Sequence, residues 1–367
     1  MEPRTIPERP VPVNAPRSTA LRLGVLAALA VAAFSCTLLV ARHVHTRSIE
    51  DAAEWHRRGT AALRTGDVDA AVTAYRRAVL HTRGERSYVL ALASALTRAG
   101  QPEAAERAVL AARTAAPEDP AINLALARLA AARGDTDTAV RYFRNALYAP
   151  WSTAAGPRDV RRELIEYLLD RGEPRRALPE ILGAIASMEP TVPQHLQAAD
   201  WLGRTGELGR ALEHYTAALR LDPKNTDALE GAGRTAFELG DHAAAVRYLR
   251  RVPGSRAAAR NLEVAELVLA LDPLSPRLGA LERRRRLLGL LARVHDRLGA
   301  CAPADSRLSD LEQWRQRLPR RVDPDEAAGT LEQLVPVVET IRRDCRPPLP
   351  LDEALRRLLP PAAESRP

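Results

Sequence analysis

The sequence predicts an all-α protein: one membrane-spanning helix, then helix pairs stacked as a solenoid, then a shorter helical region. Three observations carry that expectation. Glycine recurs every 34 residues, at Gly66, Gly100 and Gly134 and, after one slip of four residues, at Gly172, Gly206 and Gly240. A fixed period between 20 and 50 residues marks a stacked repeat. Apolar residues make up 46% of the 367-residue chain but aromatics only 4%, and small apolar residues at that density suit close helix–helix contact rather than a large mixed sheet. Finally, residues 23–40 run without a charge, and as a helix they span about 27 Å, close to the thickness of a bilayer core.

Residues 1–20 are rich in Pro and Arg, lack apolar periodicity and read as a disordered tail. The apolar stretch that follows is assigned as a transmembrane helix over 21–41, with Arg22 and Arg42 placed to snorkel to the headgroups. A cleaved signal peptide would carry a shorter apolar region ending in small residues, whereas here it continues through Thr37, Leu38, Leu39 and Val40. A lipoprotein attached at Cys36 is disfavoured by Phe34 in its recognition site. Arg4, Arg9, Arg17 and Arg22 precede the span, and Arg42 and Arg47 follow it. This balance tilts the N-terminus toward the cytoplasm and the bulk of the chain outside it.

Ser48 is a candidate cap for the next helix, with acids in its first turn. From there the chain falls into 34-residue units at 52–85, 86–119, 120–153, 158–191, 192–225 and 226–259. In the first unit Trp55 occupies position 4, Gly59 position 8, Gly66 position 15, Ala71 position 20, Tyr75 position 24 and Ala78 position 27. Later units repeat small residues at 8, 20 and 27 and a large one at 24, as in Ala127, Ala139, Phe143 and Ala146, or Ala199, Ala211, Tyr215 and Ala218. Small residues are needed where helices approach closely, and the large side chain fills the space beside them. The glycine at 15 ends the first helix in a left-handed turn, and Asp67, Asp135 or Asp241 after it can cap the second. The fourth unit departs most, with Ile165 at position 8, Pro179 in its second helix and four extra residues, 154–157, before it.

This pattern resembles the tetratricopeptide repeat (TPR) closely. The resemblance implies a right-handed α-solenoid of about six TPR helix pairs and a concave groove lined by positions 2, 5, 9, 12 and 13 of each first helix. Those positions supply His56, Arg64, Arg98, Arg128, Arg162, Asp170, Asp200, Arg204, Glu230 and Arg234. The candidate partner-binding residues are therefore Arg64, Arg98, Arg128, Arg162, Arg204 and Arg234, with a protein as the partner. They do not reproduce the lysine and asparagine clamp by which some family members hold an acidic C-terminal tail.

Residues 260–272 form one more helix, suited to capping the last repeat. The solenoid with its cap is assigned to 48–272 and a C-terminal helical region to 273–367, with helices over 277–299, 305–318, 324–343 and 351–359. The run Arg283, Arg284, Arg285, Arg286 precedes Leu287, Leu288, Leu290, Leu291 and Val294. It reads either as a solvated face or as a basic amphipathic helix drawn to anionic headgroups. Cys301 and Cys345 end the first and third of these helices. If those helices run in the same direction, the thiols meet, and a disulfide there requires an oxidising compartment.

No motif carries catalysis. There is no phosphate-binding glycine loop, no HExxH, no Cys/His spacing suited to zinc and no nucleophile elbow. The formal charge is +8, but the 54 basic residues interleave with 46 acids, unlike the concentrated patch of a nucleic-acid binder. The expectation is a membrane-anchored scaffold for protein–protein interactions in the bacterial cell envelope, not an enzyme and without cofactor or metal. Its bulk is placed in the periplasm. A cytoplasm-facing membrane adaptor, or a small regulatory or catalytic C-terminal domain served by the repeats, are the alternatives.

Overall fold

The computed structural model describes residues 17–82, 84–153 and 155–359. Residues 1–16 of the expected N-terminal tail lie outside the described residues. Among the described residues there are seventeen α-helices and no strand. The chain divides into two compact units, Met1–Val160 and Arg161–Pro367.

The N-terminal unit holds α1 (Arg17–Arg64), α2 (Val68–His81), α3 (Arg86–Arg98), α4 (Pro102–Ala115), α5 (Pro120–Ala132) and α6 (Thr136–Leu147). Helix α1 is long and apolar enough to cross a membrane, and its apolar window is entirely unburied. It also differs from the expectation. It begins at Arg17, inside the anticipated tail, and no break separates the apolar stretch from the first repeat helix. No glycine or proline interrupts residues 41–48, so helix propagation continues once nucleated. Ser48 does not cap a new helix; its hydroxyl donates to the His81 carbonyl at the far end of α2.

From α2 onward the register read from the sequence governs the packing. The six repeat glycines all sit at positive φ, between 70° and 83°. At Gly134 the consequence is explicit: the turn lets the Asp135 N–H reach back to the Ala130 carbonyl at 3.1 Å, closing the end of α5. Asp67, Asp135 and Asp241 then accept from the backbone N–H groups of Ala70, Thr138 and Ala244, as their positions predict. Positions 8 and 24 meet as the small-and-large rule requires. A Cβ on Gly59 would lie 2.8 Å from the Tyr75 ring. The core of this unit runs through Tyr75, Val89, Leu92, Leu96, Val109, Ile122 and Leu126.

Helix α7 (Ala155–Asp170) crosses into the C-terminal unit, which continues with α8 (Pro174–Ala186), α9 (Val192–Arg204), α10 (Leu208–Leu221), α11 (Thr226–Glu238), α12 (His242–Leu249) and α13 (Arg256–Leu271). Ile165 and Ile181 are both fully buried, so in the atypical fourth unit a larger position 8 accompanies a smaller position 24. Pro179 lies within α8 without ending it. Then come α14 (Ala280–Cys301), α15 (Arg307–Arg317), α16 (Pro324–Asp344) and α17 (Pro350–Leu358). Leu287, Leu290, Leu291, Val294, Leu298 and Leu334 form a core of their own. Helix α14 starts three residues later than expected because Arg277 takes φ 67°.

The C-terminal helix closes the repeats. Arg357 on α17 stacks its guanidinium 3.8 Å from the Phe237 ring centroid and donates to the Phe237 carbonyl at 3.0 Å. Ala354 is buried among Phe237, Leu249, Val264 and Val268. Helix α13 is thus covered by α17, where the sequence suggested α13 alone as the cap. Arg297 ties this helix to α14 through both carboxylate oxygens of Asp352, at 2.9 and 2.8 Å.

Neither reading of the 283–286 arginine run survives for its first residue. Arg283 is only 8% exposed. It donates to the carbonyls of Pro273 at 3.1 Å, Val322 at 3.2 Å and Leu278 at 3.0 Å. Arg284 donates to the Pro319 carbonyl, and Arg286 to those of Leu269 and Asp272. Leu287, Leu290, Leu291 and Val294 are fully buried. Arg283, Arg284 and Arg286 thus tie loop and helix-end carbonyls together, Arg285 stays solvated, and the leucine stripe is core. An arginine presents five fixed donors, which lets one side chain satisfy several loop carbonyls at once.

Candidate partner-binding groove

In the N-terminal unit, first helices α3 and α5 enclose a cavity of about 440 Å³. Its lining follows the repeat register. Leu90, Ser94, Thr97 and Arg98 come from positions 5, 9, 12 and 13 of the second unit; Ala121, Leu124 and Arg128 come from positions 2, 5 and 9 of the third. The floor is apolar, from Ala93, Leu124, Ala125 and Leu129, while Arg98 and Arg128 stand at it with exposed side chains. An apolar floor beside cationic donors can hold a segment that offers apolar side chains and an acidic group. Arg64, the last residue of α1, is exposed and does not line this cavity.

The C-terminal unit supplies Arg162 on α7, Arg204 on α9 and Arg234 on α11. Arg204 pairs with Glu166 at 2.7 Å and with Asp170 at 2.6 Å. Trp201 donates its indole N–H to the same Glu166 at 2.6 Å. Burial works against the Arg204 charge, but the bonds to the two carboxylates outweigh it and hold its pKa above the ordinary value. Arg234 donates to the Tyr215 hydroxyl at 3.4 Å, and Arg162 is exposed on α7. Asp170 and Arg204, both read from the sequence as groove positions, therefore spend their charges on each other. A like-signed count of groove arginines could not show this, because the partner lies 34 residues away on the preceding first helix.

The structure also brings Cys301 and Cys345 together, with their Cα atoms 5.3 Å apart, within reach of a disulfide. They sit at the ends of α14 and α16, the arrangement expected for two helices running in the same direction. Sequence reading missed the imidazole pair His195 and His214, whose Nδ1 atoms lie 3.0 Å apart. Burial, chiefly, holds the pKa of each below the ordinary imidazole value. Among the described residues, no group of three or more His, Cys, Asp or Glu side chains is placed to hold a metal ion.

Comparison with known proteins follows the same register. Profiles of the tetratricopeptide repeat match residues 56–120 and 90–159 and, beyond the atypical fourth unit, 204–276. The chain carries tetratricopeptide repeats over these segments. The gap between the matches, 160–203, holds most of the unit that carries Ile165 and Pro179 and nearly all of α9. Among solved structures it is similar to YrrB, described as a TPR protein with an unusual peptide-binding site, at 20% identity and a TM-score of 0.40, over 52% of this chain and 97% of that one. PilF from Pseudomonas aeruginosa aligns at 18% identity and a TM-score of 0.41, over 58% of this chain and 96% of that one. The C-terminal part of a TPR protein from Cytophaga hutchinsonii aligns at 11% identity and a TM-score of 0.45, over 70% and 98%. No curated protein matches the chain in sequence.

Proposed function

We propose that this TPR protein is a membrane-anchored scaffold of the bacterial cell envelope, with α1 as its anchor and the repeats in the periplasm. In this reading it captures a protein partner and catalyses nothing itself. The observation that carries it is the joining of two features in one chain: an apolar, unburied helix of membrane-spanning length leads without interruption into repeats whose first helices open a cavity at Arg98 and Arg128. The arginine balance about the span supports the orientation. So does the Cys301 and Cys345 pair, because a disulfide persists in an oxidising compartment.

The partner presents a segment with apolar side chains and a carboxylate to α3 and α5. Arg162 on α7 is proposed as a further contact of its own unit. The test is crosslinking of the intact protein in its native membrane, with captured proteins identified in parent and in an Arg98→Ala, Arg128→Ala variant. Loss of one specific partner from the variant supports the groove. Undiminished capture moves the site elsewhere. A reporter fused after Pro367 that is active only in the cytoplasm, together with free thiols at Cys301 and Cys345, would replace the periplasmic scaffold with a cytoplasm-facing adaptor.

A further inference from the structure

The continuity of α1 fixes the height of the first repeat above any bilayer that α1 crosses. Val40 ends the uncharged stretch and Ser48 lies eight residues further along the same helix, roughly 12 Å at about 1.5 Å per residue. The headgroup layer itself extends about 5–7 Å beyond the hydrocarbon. Ser48 is also where α2 ends, because its hydroxyl donates to the His81 carbonyl. Helix α2 therefore runs back toward the bilayer, and the turn after it descends into side-chain reach of the headgroups.

That edge of the N-terminal unit has the composition of an interface. Leu80, in the last turn of α2, is 74% exposed, and Val44 and Ile49 on the stalk of α1 are 61% and 46% exposed. Arg42, His43, His45 and Arg47 surround them on α1, all exposed. The other second helices run the same way. Arg86 at the start of α3 pairs with Asp119, the cap of α5, which places both first-helix starts on this edge. Tyr148 caps the C-terminal end of α6 and is 73% exposed. The last turns of α2, α4 and α6 carry His81, Arg113 and Arg144. Exposed Leu80 and Tyr148 sit on this edge among charges of both signs, since Glu50, Asp51, Glu85 and Glu118 are exposed there too; a membrane–water boundary takes apolar bodies into the headgroup zone while polar groups meet its water and phosphates.

We propose that this edge, centred on Leu80 and the C-terminal end of α2, rests on the phospholipid headgroups of the bilayer that α1 crosses. The proposal rests on the reading of α1 as an anchor. It sets the first helices of the unit upright, with the α3 and α5 cavity opening sideways above the membrane rather than toward it.

The test uses the full chain in vesicles of phosphatidylethanolamine and phosphatidylglycerol doped with a nickel-chelating headgroup lipid. A nitroxide is attached at the native Cys36, or, in a Cys36→Ser background, at Leu80→Cys, Tyr148→Cys or Thr65→Cys. Thr65 follows α1 at the opposite edge, roughly 37 Å above Val40 by the same rise. Expected is strong oxygen access at Cys36, loss of signal height at Leu80→Cys and a smaller loss at Tyr148→Cys from headgroup nickel, and no loss at Thr65→Cys. A lipid-buried label at Cys36 with equal signals at Leu80→Cys and Thr65→Cys overturns the contact while leaving the anchor intact. A shielded Leu80→Cys label insensitive to headgroup nickel assigns that edge to another protein chain and also overturns the proposal. A water-exposed label at Cys36 overturns the anchor itself, and the contact with it.

Discussion

Replacing Arg283 with methionine tests the reassignment of the arginine run. Methionine keeps much of the aliphatic length and removes the guanidinium, so packing of the stem is largely conserved. Three carbonyls then lose their donor: Pro273, Val322 and Leu278. Pro273 and Val322 are buried, so two of the three acceptors have no ready replacement in water. A hydrogen bond to a charged group contributes about 1.5–3 kcal/mol net, and an abandoned buried acceptor costs about 1–3 kcal/mol. With Leu278 partly rehydrated, the expected loss is about 3–5 kcal/mol. For a unit of roughly this size that corresponds to a fall in melting temperature of about 6–20 °C. The comparison is Arg285→Ala, two residues away, whose side chain is 79% exposed and pairs with Glu282; its cost is expected within about 0.5 kcal/mol. Both variants are measured as full chains in detergent by thermal melting, alongside binding to anionic vesicles. If Arg283→Met melts with the parent while vesicle binding drops, the carbonyl ties are not what holds this region, and the lipid-facing reading of the run returns.

Two further predictions follow from the repeats and their closure. Gly134 sits at φ 78° with nothing within 4 Å of the Cβ it lacks, so Gly134→Ala isolates backbone strain, and a loss of about 1–2 kcal/mol is expected in a melt of the full chain; a gain in stability would show that the turn does not need a left-handed residue. His195, His214 and His242 each take up a proton below the ordinary value of 6.5 because burial disfavours their charge. Arg220 adds to this at His195, His195 at His214, and Arg357 at His242, while Glu213, Asp241 and Asp272 oppose it. The unfolded chain then binds more protons than the folded one, and stability falls as pH drops below about 6.5. Melting between about pH 7.5 and about 5.5 should show this fall, and His195→Gln with His214→Gln should flatten it; a melting temperature that rises toward acid refutes it.

Much of this architecture is legible without coordinates because a repeat is a local code. Small residues at 8, 20 and 27, a large one at 24 and glycine at 15 each act within one unit or on the next, so their spacing appears directly in the chain. The left-handed glycines, the aspartate caps and the contact of Gly59 with Tyr75 are all consequences at fixed short separations. Arg98 and Arg128 line the α3 and α5 cavity from positions 13 and 9 of their units.

What only the tertiary structure decided is which groups pair, which the repeat spacing does not state, whether they lie one period apart, as Arg204 and Asp170 do, or much further. Ser48 looks like a helix cap in sequence, yet its hydroxyl is used by His81, and α1 continues through it. Arg204 looks like a groove residue, yet Glu166 and Asp170 hold it. Arg283 looks like solvated charge, yet loop carbonyls up to 39 residues away hold it, and Arg357 closes the last repeat by stacking on Phe237, 120 residues earlier. An arginine's composition states only that it can donate five hydrogen bonds. Which acceptors it meets is settled when loops and helices from distant parts of the chain converge, and burial then makes those acceptors too costly to leave unpaired.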